Sequence, residues 1–157
     1  QLVNIQPYIA AEMPNVDFSV PGVVTIEAAR TFWDKVIILH GTRCWHDNRG
    51  ELRQNGHRVS RHYYDIYQLM QSTIGQEAYK DHGLAVDCAR HAQLFFNSSD
   101  LNLKLALPRS FSLVPTPAMQ QILKRDYHAM ASMIFGDVPA FADVLDVVSS
   151  LEQAINA

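Results

Sequence analysis

Charged side chains of the kinds that bind phosphates and metal ions are concentrated in one part of the chain. Lys35 lies in one segment with helical periodicity and Asp65 lies in the next. Five of the nine arginines lie between positions 43 and 61, together with only two acidic residues. Carboxylate oxygens bind Mg²⁺ or accept a hydroxyl proton, and ammonium and guanidinium groups bind phosphates. These are the groups that a nucleoside triphosphate with its Mg²⁺ requires.

The same residues also have simpler interpretations. An exposed lysine such as Lys35 usually serves solvation, and Arg61 and Asp65 are spaced i,i+4, so they can form a surface ion pair worth about 0.3–0.5 kcal/mol. The arginine-rich stretch is also typical of an RNA-binding surface. Residues 126–157, in contrast, contain five acidic residues and no Lys or Arg, which weakens that interpretation. The pattern alone leaves these alternatives open.

Histidines and a cysteine lie in the same part of the sequence, but their spacing matches no known zinc site, since there is neither a C-x-x-C pair nor an H-E-x-x-H motif. They are His40, Cys44, His46, His57 and His62. Cys88 and His91 lie on the apolar face of a predicted helix and are predicted to be core residues. The sequence also lacks a Walker A loop, a G-x-S-x-G motif and a D-x-D pair. We therefore predict no metal site within these residues.

Hydrophobic periodicity predicts a mainly α fold, with about five helices in a bundle-like domain. The first helix is predicted to begin at Thr25 as N-cap and to end at Gly41. The nineteen residues 41–59 show no clear period and are predicted to form a long, functional loop. The later helices are predicted from Ser60, over 76–97 with a bend near Gly83, from Thr116 and after Pro139.

Short apolar runs interrupted by prolines predict extended segments at residues 2–13 and 17–24. Two further strand candidates lie at 103–107 and 111–114, so any sheet is expected to be small. The chain begins at Gln1 without a methionine, directly in a strand-like segment. We therefore expect residues 1–24 to be an extended lead-in from an N-terminal lobe outside this sequence, and residues 25–157 to form a helical C-terminal domain.

The composition fits one ordinary globular domain of 157 residues, with 48% hydrophobic and 18% charged residues. No apolar run approaches the roughly 18 residues that a membrane-spanning helix requires, so a membrane protein is excluded. Two cysteines do not form a disulfide framework, and a reduced, cytoplasmic setting is expected. A net charge of -3 argues against a uniformly basic nucleic-acid coat.

Several segments, in order along the chain, carry a family resemblance. They are Pro7–Ile9, residues 30–40 (RTFWDKVIILH), 60–69 (SRHYYDIYQL), 113–115, 126–130 with 134–136, and 151–156. Together they resemble the C-terminal half of the AbiEii/AbiGii toxin family of nucleotidyltransferases. The resemblance implies a polymerase-β-like enzyme, in which an N-terminal α/β lobe holds Mg²⁺ with a pair of aspartates and a helical C-terminal lobe closes the nucleotide site.

For individual residues, the resemblance implies that Lys35 contacts the triphosphate and that Asp65 acts as a base or positions the metal and nucleotide. Asp34 stands where Glu is common in the family pattern, and His62 stands where an acidic residue is common. We expect the arginines between the two helices to bind nucleotide or tRNA phosphates; they are Arg49, Arg53, Arg58 and Arg61.

The resemblance also implies the biological role, the toxin of a toxin–antitoxin or abortive-infection system, with some members transferring nucleotides to tRNA ends. The implied partners are a nucleoside triphosphate, tRNA and a cognate antitoxin protein. Mg²⁺ and the nucleotide are expected to bind in the complete protein, and residues 1–157 alone are expected to be inactive and to hold neither firmly. The alternatives are a non-catalytic helical module that docks a protein partner and an RNA-binding helical domain.

Overall fold

The computed structural model describes residues 2–53, 58–96 and 98–157, and most of them are helical, which confirms the predicted fold class. An antiparallel hairpin of two strands, β1 (Leu2–Ile5) and β2 (Val20–Val24), opens the chain. The α-helices that follow are α1 (Ala28–Arg49), α2 (Ser60–Met70), α3 (Thr73–Ala78), α4 (His82–Phe95), α5 (Pro117–Met130) and α6 (Phe141–Asn156).

The hairpin confirms part of the predicted extended lead-in. Leu2 pairs with Val24 and Val3 with Val23, and the register shifts before Ile5 pairs with Val20. Between the strands the chain forms a 3₁₀ turn at Tyr8–Ala11 rather than an extended segment. Most apolar side chains of the hairpin are exposed, so its stability comes mainly from strand pairing.

The first helix runs well past its predicted end, because α1 continues through Gly41 and stops at Gly50, whose φ of 70° is the left-handed conformation typical of a helix end. The predicted loop 41–59 is therefore wrong for its first half. Gly41 is buried, and a Cβ there would lie 3.4 Å from the Leu101 side chain. Close packing against residue 101 thus explains a glycine inside a helix. The predicted N-cap was also wrong, since Glu27 rather than Thr25 precedes the helix.

The predicted helix at 76–97 is in fact two helices, α3 and α4. Ser72 caps α3 by accepting a hydrogen bond from the Gly75 amide, and Asp81 caps α4 by accepting one from the Leu84 amide at 2.9 Å. Two caps so close together require two helix starts, which places the break at residues 79–81 and not at Gly83. The predicted start of α5 is confirmed, since the Thr116 side chain accepts a hydrogen bond from the Met119 amide.

Neither later strand candidate forms a strand. Residues 103–105 form a 3₁₀ turn, and the backbone at 111–114 bonds to side chains of α6. Asn156 donates to the Phe111 carbonyl at 2.8 Å and accepts from the Phe111 amide at 3.0 Å, and Glu152 accepts from the Val114 amide at 2.8 Å. Residues 111–114 alternate between buried and partly buried positions, which explains the strand-like sequence pattern. Their backbone groups, however, form hydrogen bonds with side chains and not with a partner strand.

α1 is the central element of the core and packs against α2, α3 and α4, while α6 covers α2. Trp33 is completely buried, and its indole N–H donates to the Ala78 carbonyl at 3.0 Å. Cys88 is buried as predicted. His91 is not, because it lies exposed beside Phe95 with their ring centroids 4.9 Å apart. None of the described helices combines the length and apolar character needed to cross a bilayer.

Candidate functional site

Lys35 and Asp65, predicted on separate helices, lie in direct contact. The Lys35 ammonium donates to Asp65 Oδ2 at 2.6 Å, and the two side chains are 22% and 35% exposed. The alternative ion pair between Arg61 and Asp65 is not among the salt bridges of the described residues, where Asp65 pairs with Lys35 on α1 instead. The two residues are thirty positions apart in sequence, so the contact depends on the packing of α1 against α2.

Buried neighbours on each helix fix the positions of this pair. On α1, Phe32 and Val36 are completely buried on either side of Lys35 along the chain. On α2, Tyr63 and Ile66 are completely buried, which fixes the rotation of the helix about its axis. Because both helices are fixed by their apolar faces, the ammonium and carboxylate meet at the partly exposed edge of the interface.

His62 is a third member of the site. Its Nδ1 lies 3.3 Å from the Lys35 ammonium, and it shares a face of α2 with Asp65, one turn further on. Burial, followed by the charges of Lys35 and Arg61, lowers the pKa of His62 to about 4. The ring is therefore neutral near pH 7, and its Nδ1 accepts a hydrogen bond from Lys35. In the sequence, His62 was noted as a departure from the family pattern and as one of the histidines that match no known zinc site.

The start of α2 is held by Asp126 from α5. Its Oδ1 accepts from the Arg58 amide at 2.7 Å, and its Oδ2 accepts from both the amide and the hydroxyl of Ser60, at 2.8 and 2.6 Å. The carboxylate thus caps the N-terminus of α2 from another helix. His62 lies in the first turn of α2, directly after this cap. No local sequence signal identifies this role of Asp126, because the residues that it caps lie more than sixty positions away in sequence.

The arginine-rich stretch is divided between two places. Arg58 and Arg61 lie at the start of α2, both exposed, and Arg61 is close enough to His62 to lower its pKa. Arg49 is the last residue of α1 and Arg53 follows soon after it, with their guanidinium groups 5.5 and 5.0 Å from the centroid of the Trp45 ring.

Arg49 lies far from Lys35 along α1, and the arginines beside Trp45 already have other contacts. Arg49 also pairs with Asp100 at 2.6 Å. Fourteen residues of helix separate Lys35 from Arg49, or about 21 Å along the axis. The structure therefore brings Arg61 near the Lys35–Asp65 pair and keeps Arg49 away from it.

The histidines around α1 do not converge on a metal ion. His40 is buried between two backbone groups, accepting from the Ser112 amide at 3.1 Å and lying 3.2 Å from the Asn102 carbonyl. Cys44 Sγ is 3.6 Å from His40 Nε2, and burial raises the pKa of its thiol. His57 lies outside the described residues. Within the described ranges, no three His, Cys, Asp or Glu side chains are placed to hold a metal ion, so the residues present do not form a Mg²⁺ site.

A separate groove of about 730 Å³ lies between α1, the end of α4 and the turn at 101–103. Its lining is mainly apolar and includes Ile38, Phe95 and Phe96, with Asp34 and Arg53 at its polar positions. Burial raises the pKa of Asp34. Neither Lys35 nor Asp65 lines this groove, so it is distinct from the charged cluster.

Comparison with known protein families matches residues 1–148 to the family described as nucleotidyl transferase AbiEii toxin, type IV TA system. The matched region contains the Lys35–His62–Asp65 cluster and Asp126, and it ends before Glu152 and Asn156. No curated protein and no solved structure is significantly similar to the chain.

Proposed function

Since the chain belongs to the AbiEii family of nucleotidyltransferase toxins of type IV toxin–antitoxin systems, we propose that Lys35 and Asp65 are its contribution to a nucleotide-transfer site. The observation that carries the proposal is the 2.6 Å contact between the two side chains across α1 and α2, at a partly exposed position. An ion pair that only stabilises a surface gains little. An ammonium fixed at an accessible helix edge, in contrast, is suited to bind phosphate.

The proposed role of Lys35 is to bind the triphosphate, and that of Asp65 is to hold the ammonium in place. In nucleotidyl transfer, an acceptor hydroxyl oxygen forms a bond to the α-phosphorus and the bond from that phosphorus to the bridging oxygen breaks. Pyrophosphate leaves with the electron pair, and the hydroxyl proton passes to a base. Negative charge grows on the leaving phosphates, and a fixed cation stabilises it without reorganisation. Asp65 Oδ2 is occupied by Lys35, so we assign Asp65 to positioning rather than to proton transfer.

The metal ion expected for this chemistry would require carboxylates from elsewhere in the enzyme. The described residues do not bring together a group of three or more possible metal ligands. We propose that an N-terminal lobe of the kind implied by the family supplies these ligands, and that residues 25–157 act as the C-terminal domain. When bound there, the ion would neutralise phosphate charge.

The exposed apolar surface around the hairpin supports this arrangement of lobes. Leu2 and Val24 on the strands are 71% and 81% exposed, and Tyr8 contacts Phe135 with ring centroids 5.7 Å apart while both remain exposed. α1 begins close after β2, and Lys35 lies about 10 Å further along its axis. A lobe packed on the hairpin would therefore lie beside the Lys35–Asp65 pair.

For the acceptor, we propose the 3′ end of a tRNA, on the strength of the family resemblance. Arg58 and Arg61 are exposed near the pair and are suited to bind phosphates of the nucleotide or of the acceptor. Arg49 and Arg53 would contact only a more distant part of a long acceptor. We further propose that the enzyme acts in the cytoplasm and that a cognate antitoxin opposes it.

The direct test is nucleotide transfer by the full-length protein with Lys35→Ala and with Asp65→Ala. We expect kcat/KM to fall about 100-fold or more for each, as for the loss of a charged transition-state contact. Lys124→Ala is the matched control, because Lys124 is an exposed lysine on α5, and its rate should stay within about twofold of wild type. Full activity in either site variant would show that the assignment is wrong.

A further inference from the structure

We propose that His62 is a positioning residue for Lys35, because its ring nitrogen Nδ1 accepts a hydrogen bond from the ammonium and, together with Asp65, fixes the direction of the remaining N–H donor. The inference rests on the proposed function, since it concerns the same site.

The geometry gives the ammonium two acceptors on one helix. Lys35 Nζ lies 2.6 Å from Asp65 Oδ2 and 3.3 Å from His62 Nδ1. A lysine ammonium has three N–H donors on a freely rotating group. With one acceptor, the end of the lysine side chain can pivot about that single hydrogen bond and change the direction of the other two N–H groups. A second acceptor prevents this pivot and so fixes the direction of all three N–H groups. The third donor then has one direction, and it is the one available to a phosphate oxygen.

The charge state of the ring agrees with this role. Four charged groups surround His62: Lys35 and Arg61 disfavour its protonation, Asp65 and Asp126 favour it, and burial disfavours it most strongly. With the pKa of His62 lowered to about 4, the ring is neutral at physiological pH, and its proton lies on Nε2 if Nδ1 accepts from Lys35.

The neutral ring also sets the net charge of the cluster. Lys35, Asp65 and a neutral His62 sum to zero, so the cluster carries no net charge. A histidine can thus supply an acceptor to Lys35 without adding a negative charge.

The contact itself can be tested without any assay of activity. Two-bond ¹⁵N–¹H correlation spectra of the full-length protein at pH 7 should show His62 neutral and protonated on Nε2. Lys35→Met should shift the Nδ1 resonance, because the ring loses its donor, while His128 on α5, which is exposed, should not change. The proposal would be contradicted by a His62 ring protonated on Nδ1, or by an Nδ1 chemical shift that is the same in Lys35→Met and in the wild type.

The functional role of His62 is tested with His62→Asn and His62→Gln. The two amide side chains differ in where they place an oxygen that can accept a hydrogen bond from Lys35. The amide oxygen of His62→Asn lies close to the position of Nδ1, whereas His62→Gln places its amide about one bond further out. We expect kcat/KM for nucleotide transfer to fall about tenfold in His62→Gln and to stay within about threefold of wild type in His62→Asn. Thermal melts of both variants measure any general loss of stability. Because the two amides are chemically similar, such a loss should be about equal in the two variants.

The outcomes separate this inference from the proposed function. If Lys35→Ala abolishes transfer but both amide variants equal wild type, or lose the same activity, the positioning role of His62 is wrong and the proposed function stands. If Lys35→Ala retains full transfer, the proposed function fails and this inference fails with it.

Discussion

At the residue scale, Lys35, Asp65 and His62 are partly buried and form hydrogen bonds with one another in place of some of those they would form with water. The side chain of Lys35 crosses a partly buried interface, where its charge needs compensation more than it would on an open surface. Asp65 supplies that compensation, and His62 supplies an uncharged acceptor. The residue types were readable from the sequence as phosphate-binding chemistry. Their mutual contact was not, because it joins residues on two helices whose packing no local pattern specifies.

His40 gives a pH-dependent prediction. Its Nδ1 accepts from the Ser112 amide, and burial lowers its pKa below the ordinary value of 6.5. Below that pH the unfolded chain binds a proton that the folded protein excludes, so stability falls as pH decreases from 6.5 toward the folded pKa. His62 contributes with the same sign.

We therefore expect the wild type to lose more of its unfolding free energy between pH 6.5 and 5.5 than His40→Gln does, by at most about 1 kcal/mol. Urea unfolding at the two pH values measures this difference. The account of His40 would be refuted by equal losses in the two proteins, since the remaining histidines are common to both.

At the element scale, a carboxylate of α5 caps the start of α2. Asp126→Ala leaves the amides of Arg58 and Ser60 and the Ser60 hydroxyl without their acceptor. We expect a loss of about 2–3 kcal/mol in unfolding free energy, because charged hydrogen bonds at a helix start are removed. Asp146→Ala, at an exposed position on α6, serves as control and should change stability by less than about 0.5 kcal/mol. Equal effects of the two substitutions would argue against the cap.

The turn between α2 and α3 depends on a glycine for a steric reason. A Cβ on Gly75 would lie 2.0 Å from the Leu69 carbonyl oxygen, whereas one on Gly83 would meet only the Asp81 side chain at 3.4 Å. Gly75→Ala should therefore destabilise the fold by about 2–4 kcal/mol, and Gly83→Ala should be neutral or stabilising by up to about 1 kcal/mol. Differential scanning calorimetry of the two variants compares them directly, and similar melting temperatures would show that α2 and α3 do not approach this closely.

Most helices were predictable because their signals are local. The Thr116-Pro117 start of α5 and the apolar stripe of α6 lie within a few residues of the features that they specify. The extension of α1 beyond Gly41 was not predictable, because the glycine is accommodated by packing against Leu101, about sixty residues away. The hydrogen bonds of 111–114 to Asn156 and Glu152 were likewise missed, since they join segments distant in sequence.

At the scale of the whole molecule, two surfaces remain apolar and exposed in the described part of the chain. One surrounds the hairpin and Phe135, and the other is the groove beside Phe95 and Phe96. The first lies at the beginning of α1, from which Lys35 follows within about two turns. This order places the exposed apolar surface and the charged pair near the same end of the helix, as expected for a site completed by another lobe.

Lys35 and Asp65 are proposed to act as one unit in nucleotide transfer, and a double-mutant cycle on kcat/KM in the full-length protein measures this coupling. Lys35→Ala, Asp65→Ala and the double variant are compared with wild type in one assay. If Asp65 acts by holding Lys35, the double variant should be no slower than Lys35→Ala alone, within about threefold. Losses that multiply, or single variants as active as wild type, would contradict the account.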